Sequence, residues 1–160
     1  MPLEEKYDKL LDEYLEGAII NYAVLKELGA IDKGIESSVK VQAKMLPSLV
    51  GIAFKMLKTV APGKAFNQLV DNYVYTMQST LSLSDFELSR VSDREATVRV
   101  KNCPILKRVR TLVEKSGLEI EPKSICELET RINQGVAKEF GVNMTTKLED
   151  NGCVHTAKLK

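Results

Sequence analysis

The spacing of apolar residues switches part-way along this 160-residue chain, and that switch limits the fold more than any other feature. Up to about residue 80 apolar side chains recur every three to four positions; beyond residue 82 stretches that alternate first appear. In residues 3–28, Tyr7, Leu10, Leu11, Tyr14, Leu15, Ala18, Ile19, Tyr22 and Leu25 mark one helical face, and Gly29 supplies its stop. A second helix is expected over about 35–59, apolar on nearly every side between Val39 and Leu57. Pro47 should kink it or start it afresh, because proline has no amide hydrogen to donate. "APG" at 61–63 breaks the pattern, and a third helix follows over 63–80 with Phe66, Leu69, Val70, Tyr73, Val74 and Met77 inward.

Past that point "DFELSRV" and "EATVRVKN" alternate about an "SDR" turn, as a half-buried hairpin does. Pro104 suits the first position of a helix that Gly117 ends, and Pro122 opens another that closes before Gly141. "VNMTTKLE" and "CVHTAKLK" then flank Asp150-Asn151-Gly152, a second hairpin. Hairpins met separately along a chain usually join in one sheet with helices on a face. The expectation is an α+β fold: N-terminal helices followed by an antiparallel sheet of two hairpins packed against helices. No linker or repeat interrupts it, so residues 1–160 read as a single α+β domain. Within it, about 1–60 form a helical arm and about 61–160 a mixed core.

Charge and apolar content narrow the function classes. A net charge of +1 offers no electrostatic lure for nucleic acid. The short run "LKRVR" reads as a solvated helix face, with no aromatic residues between its charges to stack bases. The most apolar stretch, "LPSLVGIAFKML", falls short of the roughly 20 residues of a membrane span. Gly63-Lys64 lacks the spacing and the hydroxyl residue of a phosphate-binding loop. The acidic, amphipathic N-terminus is unlike a secretory signal, and three cysteines are an odd number. A reduced, cytoplasmic protein is expected.

The three cysteines occupy distinct local settings. Cys103 precedes Pro104 and so falls at a helix N-cap, where free amides and the helix dipole favour a thiolate. Cys126 falls near the start of the next helix. On the last strand Cys153, His155, Ala157 and Leu159 share one face, just past the Asn151-Gly152 turn. Cys103, Cys126, Cys153 and His155 are four soft ligands, the number that closes a tetrahedral zinc site. The same residues also suit a reactive thiol, or plain packing, since free cysteine is among the most buried residue types.

"CPI" at 103–105, "SGLE" at 116–119, "SICELETRINQGVAKEFG" from 124 and "MTTKLEDNGCVHTAKL" resemble the C-terminal half of the L-2-amino-thiazoline-4-carboxylic acid hydrolase-like proteins. They are also similar to the 4-vinyl-reductase domain proteins. The resemblance spans about residues 95–160, with a looser match in the N-terminal helices. It implies an antiparallel sheet, a small-molecule pocket between sheet and helices, and a homodimer formed through the N-terminal helices. Cys153 matches the last-strand cysteine, Cys126 the helix cysteine, and Cys103 the cysteine before proline in the hydrolase-like proteins. The sensors of the second group carry a further cysteine where this chain has Thr145, so their full zinc set is missing. The acidic residue that follows the middle cysteine corresponds to Glu127 or Glu129.

Two functions follow. The first is a small-molecule sensor or carrier with a possible zinc site at Cys103, Cys126, Cys153 and His155. The second is a hydrolase of a small cyclic or amide-like substrate, with Cys103 as nucleophile, His155 as general base and Glu127 or Glu129 orienting base or water. A single histidine and few other polar candidates favour the first.

Overall fold

The computed structural model describes residues 3–45, 57–81 and 85–160. Its elements are α1 (Leu3–Glu27), α2 (Ile31–Met45), α3 (Pro62–Leu81), β1 (Phe86–Ser92), β2 (Glu95–Val100), α4 (Pro104–Ser116), α5 (Pro122–Glu139), β3 (Val142–Leu148) and β4 (Cys153–Leu159). The fold is α+β, with the four strands in one antiparallel sheet of order β1-β2-β4-β3. Each hairpin pairs within itself, and β2 joins β4 with Val98 opposite His155 and Val100 opposite Cys153. Alternation then gives the sheet two unlike faces. Ala96, Val98, Val100, Cys153, His155, Ala157 and Leu159 turn inward, whereas Thr97, Arg99, Thr156 and Lys158 turn outward.

The helices cover the inner face. Phe66 and Val70 of α3 pack with Ala96, Val142 and Leu159, and Met77 packs with Val98 and Val100. Arg90 on β1 ties α3 down through Asn67 and Asp71, each at 2.5 Å. A second core joins Leu11, Leu15 and Ile19 of α1 to Val109, Leu112 and Val113 of α4 and Ile125 of α5. Ile35 of α2 packs on Leu128 and Ile132 of α5. The N-terminal helices thus pack directly on the helices that cover the sheet.

Local chemistry sets the boundaries. Gly29, Gly117 and Gly141 all have positive φ and follow α1, α4 and α5, where the sequence placed stops. Helix α2 begins at Ile31, earlier than the expected 35. Gly34 admits α1 here: a Cβ at that position would come within 2.6 Å of Leu25 Cδ1. The expected kink at Pro47 lies outside the described residues. The inward face of α1 is narrower than its spacing suggested, because Leu10 and Tyr14 are 64% and 59% exposed. Among the described residues no helix is long and apolar enough to cross a membrane.

Candidate functional site: a cysteine-lined cleft

A cleft enters between α3 and α5 and descends to the inner face of the sheet. One lobe of it, of about 500 Å³, is lined by all three cysteines together with His155, Glu129 and Tyr73. These side chains come from α3, the N-cap of α4, α5 and β4, so only the folded topology gathers them.

The turn between β3 and β4 holds the sulfur-bearing segments together. The backbone N–H of Cys103 donates to the Asn151 carbonyl at 2.8 Å. Arg110 of α4 donates to Asn151 Oδ1 at 3.0 Å and to the Asp150 carbonyl, and Lys123 of α5 pairs with Asp150 at 3.0 Å. The run "LKRVR" is therefore more than a solvated face: Arg110 fastens this turn, and Arg108 fastens α1 through Asp8 and Asp12. Gly152 is required at the turn by space, since a Cβ there would lie 1.9 Å from the Val100 carbonyl oxygen. That close approach lets Cys153 take its place opposite Val100.

Cys103 caps α4 as its position before proline suggested. Its Sγ accepts from the Leu106 N–H at 3.5 Å, with extended backbone at the cap. Cys126 lies in the second turn of α5, and burial pushes its thiol up to about 11. Cys153 Sγ stands 3.0 Å from His155 Nε2, and His155 Nδ1 stands 3.0 Å from Thr146 Oγ1. A neutral imidazole has one donor and one acceptor nitrogen. The relay therefore runs either from thiol to ring to hydroxyl, or in reverse. Tyr73 meets the His155 ring edge-on, with centroids 5.9 Å apart.

Burial dominates the electrostatics here. It pushes the Cys153 thiol up to about 12, with the other two cysteines adding to the effect, and holds His155 down at about 4. At neutral pH the Cys153–His155 pair is uncharged. Burial also raises the Glu129 carboxyl and the Tyr73 hydroxyl above their ordinary ranges. Neither of these side chains makes a hydrogen bond among the described residues.

The structure separates the two acidic candidates. Glu127 is exposed and does not line the cleft, whereas Glu129 does. Glu129 follows Cys126 by three positions, close to one helical turn, so both meet the same lobe. His155 touches Cys153 rather than Cys103. Thr145, where the sensors carry a further cysteine, lies on the outer face of the sheet opposite Thr156. Among the described residues no group of three or more His, Cys, Asp or Glu side chains is arranged to hold a metal ion. The four expected ligands share a lobe without closing a coordination sphere. Sequence reasoning missed Tyr73 and Thr146; Tyr73 read only as an inward position of α3, and Thr146 carried no signal apart from its neighbour strand.

No protein-family model, curated protein or solved structure matches the chain.

Proposed function

We propose that this chain is a small-molecule-binding module, a sensor or carrier of the kind the 4-vinyl-reductase resemblance suggests. The observation that carries this reading is the convergence of Cys103, Cys126, Cys153, His155, Glu129 and Tyr73 on one lobe of about 500 Å³. Small-molecule sites typically have volumes of roughly 300–1,000 Å³ and apolar walls with a few convergent polar groups. Glu129 and Tyr73 support it further, because they bring polar groups that make no hydrogen bond among the described residues to a lobe whose walls are otherwise largely apolar. Native mass spectrometry is the test. A small organic mass bound to the chain, retained in Cys126→Ser and lost in Cys126→Phe, whose ring fills the lobe, is the expected result. Stoichiometric zinc lost in Cys126→Ser would replace this reading with a metal site.

A second reading, hydrolysis of a small cyclic or amide-like substrate, is favoured by the Cys153–His155–Thr146 relay. It moves the nucleophile from Cys103 to Cys153, the sulfur that His155 touches. Against it stands the neutral state of that pair, since the thiolate is the effective nucleophile. The binding reading is therefore preferred.

The same proposal includes a homodimer through α1. Leu10, Tyr14, Ile20, Val24 and Leu28 are exposed and lie along one stripe at helical spacing, with Gly17 open at its middle. Antiparallel pairing about Gly17 sets exposed Lys6 and Lys9 of one copy beside Glu27 of the other. Sedimentation should give a dimer, and Ile20→Glu should give a monomer.

A further inference from the structure

We infer that the ligand is elongated, with a hydrogen-bond-donating, non-anionic head in the cysteine-lined lobe and an apolar body in a second lobe beyond His155. This rests on the binding reading above. The second lobe, of about 480 Å³, shares Leu69, Asn72, Tyr73, Asn133 and His155 with the first. The two therefore meet along a common wall, under a mouth rimmed by the exposed carboxamides of Asn72 and Asn133. Beyond that wall the lining is Phe66, Val98, Val136, Val142, Met144 and Ala157, with few polar groups.

Charge decides which end goes where. Among the described residues the titratable side chains lining the second lobe are Tyr73 and His155, and burial keeps both neutral at pH 7. A charged group would lose its water there and gain no counter-charge. Among the described residues the cation lining the first lobe is Lys123, already paired with Asp150. The Glu129 carboxyl makes no hydrogen bond among the described residues, and it offers acceptor oxygens but no positive charge to an anion. A head that donates a hydrogen satisfies Glu129, and the apolar body then runs past the His155 and Tyr73 rings.

The experiment displaces Nile red, a neutral dye, from the folded full chain with 1-decanol, decanoate and 1-butanol, at pH 7. Decanol is expected to displace the dye at least tenfold more effectively than decanoate. Ala157→Trp, which fills the second lobe, should weaken decanol at least tenfold and leave butanol unchanged. Should that variant fail to fold, Met144→Trp fills the same lobe from β3 and serves in its place. Decanoate competing as well as decanol would overturn the choice of head. Decanol binding untouched by the filled second lobe would overturn the two-lobe ligand while the binding reading stands. A folded wild-type chain that takes up neither dye nor alcohol would end the binding reading itself.

Discussion

The two lobes of the cleft share a wall but are assembled by different means. The apolar lobe is made of strand and helix positions whose orientation follows from periodicity alone: Ala96, Val98, Val142 and Ala157 on the sheet, Phe66 and Val70 on α3. The cysteine-lined lobe depends on a turn, an N-cap and several long-range contacts, including Cys103 to Asn151, Arg110 to Asp150 and Lys123 to Asp150. Regular structure makes an apolar container cheaply, since alternation supplies the lining. A chemically distinctive wall needs irregular segments brought together from afar, and each junction is a point of fragility. His155 belongs to both lobes, so its protonation reports on the boundary between them.

That contrast can be broken most severely at Gly152. Gly152→Ala forces a methyl group against the Val100 carbonyl, and a loss of about 3 kcal/mol or more is expected in chemical denaturation. Val136→Leu, in the apolar lobe, should cost less than about 1.5 kcal/mol, because the lobe has room for the added methylene. Equal losses in the two variants would contradict the difference in construction.

Acid should act next most strongly, through the shared wall. His155 titrates near 4 in the folded chain and near 6.5 when unfolded, so between those values the unfolded state binds more protons. Stability associated with neutral His155 is present above pH 6.5 and is lost as pH falls towards 4, by up to about 3 kcal/mol. In His155→Gln the slope of unfolding free energy over that window should flatten. An unchanged slope would assign the acid sensitivity to other groups.

Cys153→Ala should cost about 1–2 kcal/mol, since it leaves His155 Nε2 without its sulfur partner. Alkylation by iodoacetamide, followed by mass spectrometry, gives the matching kinetic test. Burial raises the Cys126 and Cys153 thiols, so both should stay largely unmodified at pH 8 in the folded chain. On the alkaline side the same shifts make stability fall as pH rises above about 9, because the unfolded thiols ionise first. The smallest effect is expected at Lys123→Met. Its partner Asp150 is 98% exposed, and water and salt screen such a pair, so unfolding should be almost unchanged.

Much of the fold was legible in the chain. The change of period near residue 82 separated helices from strands, Pro104 and Pro122 marked helix starts, and Asp150-Asn151-Gly152 marked the last turn. The same logic put Cys153 and His155 on one face and Cys103 at an N-cap. Less legible were positions where one residue type serves opposite ends. The second helix starts at Ile31 and not at 35, with Gly34 permitting close packing on Leu25, and Leu10 and Tyr14 share the spacing of the core while facing outward. The choice between Glu127 and Glu129 depended on helix rotation, which short apolar patterns leave loose.

The sequence by itself determined the element types, their order and the local settings of the three thiols, because these depend on periodicity and on backbone chemistry within a few residues. Tertiary structure alone decided that β2 pairs with β4, and that three distant sulfurs, Glu129 and His155 line one lobe. It also decided the charge states, since desolvation of His155 and Cys153 comes from α3, α5 and the neighbouring strands packing over them. Those contacts form between residues far apart in the chain, and no local pattern encodes the distance at which they meet.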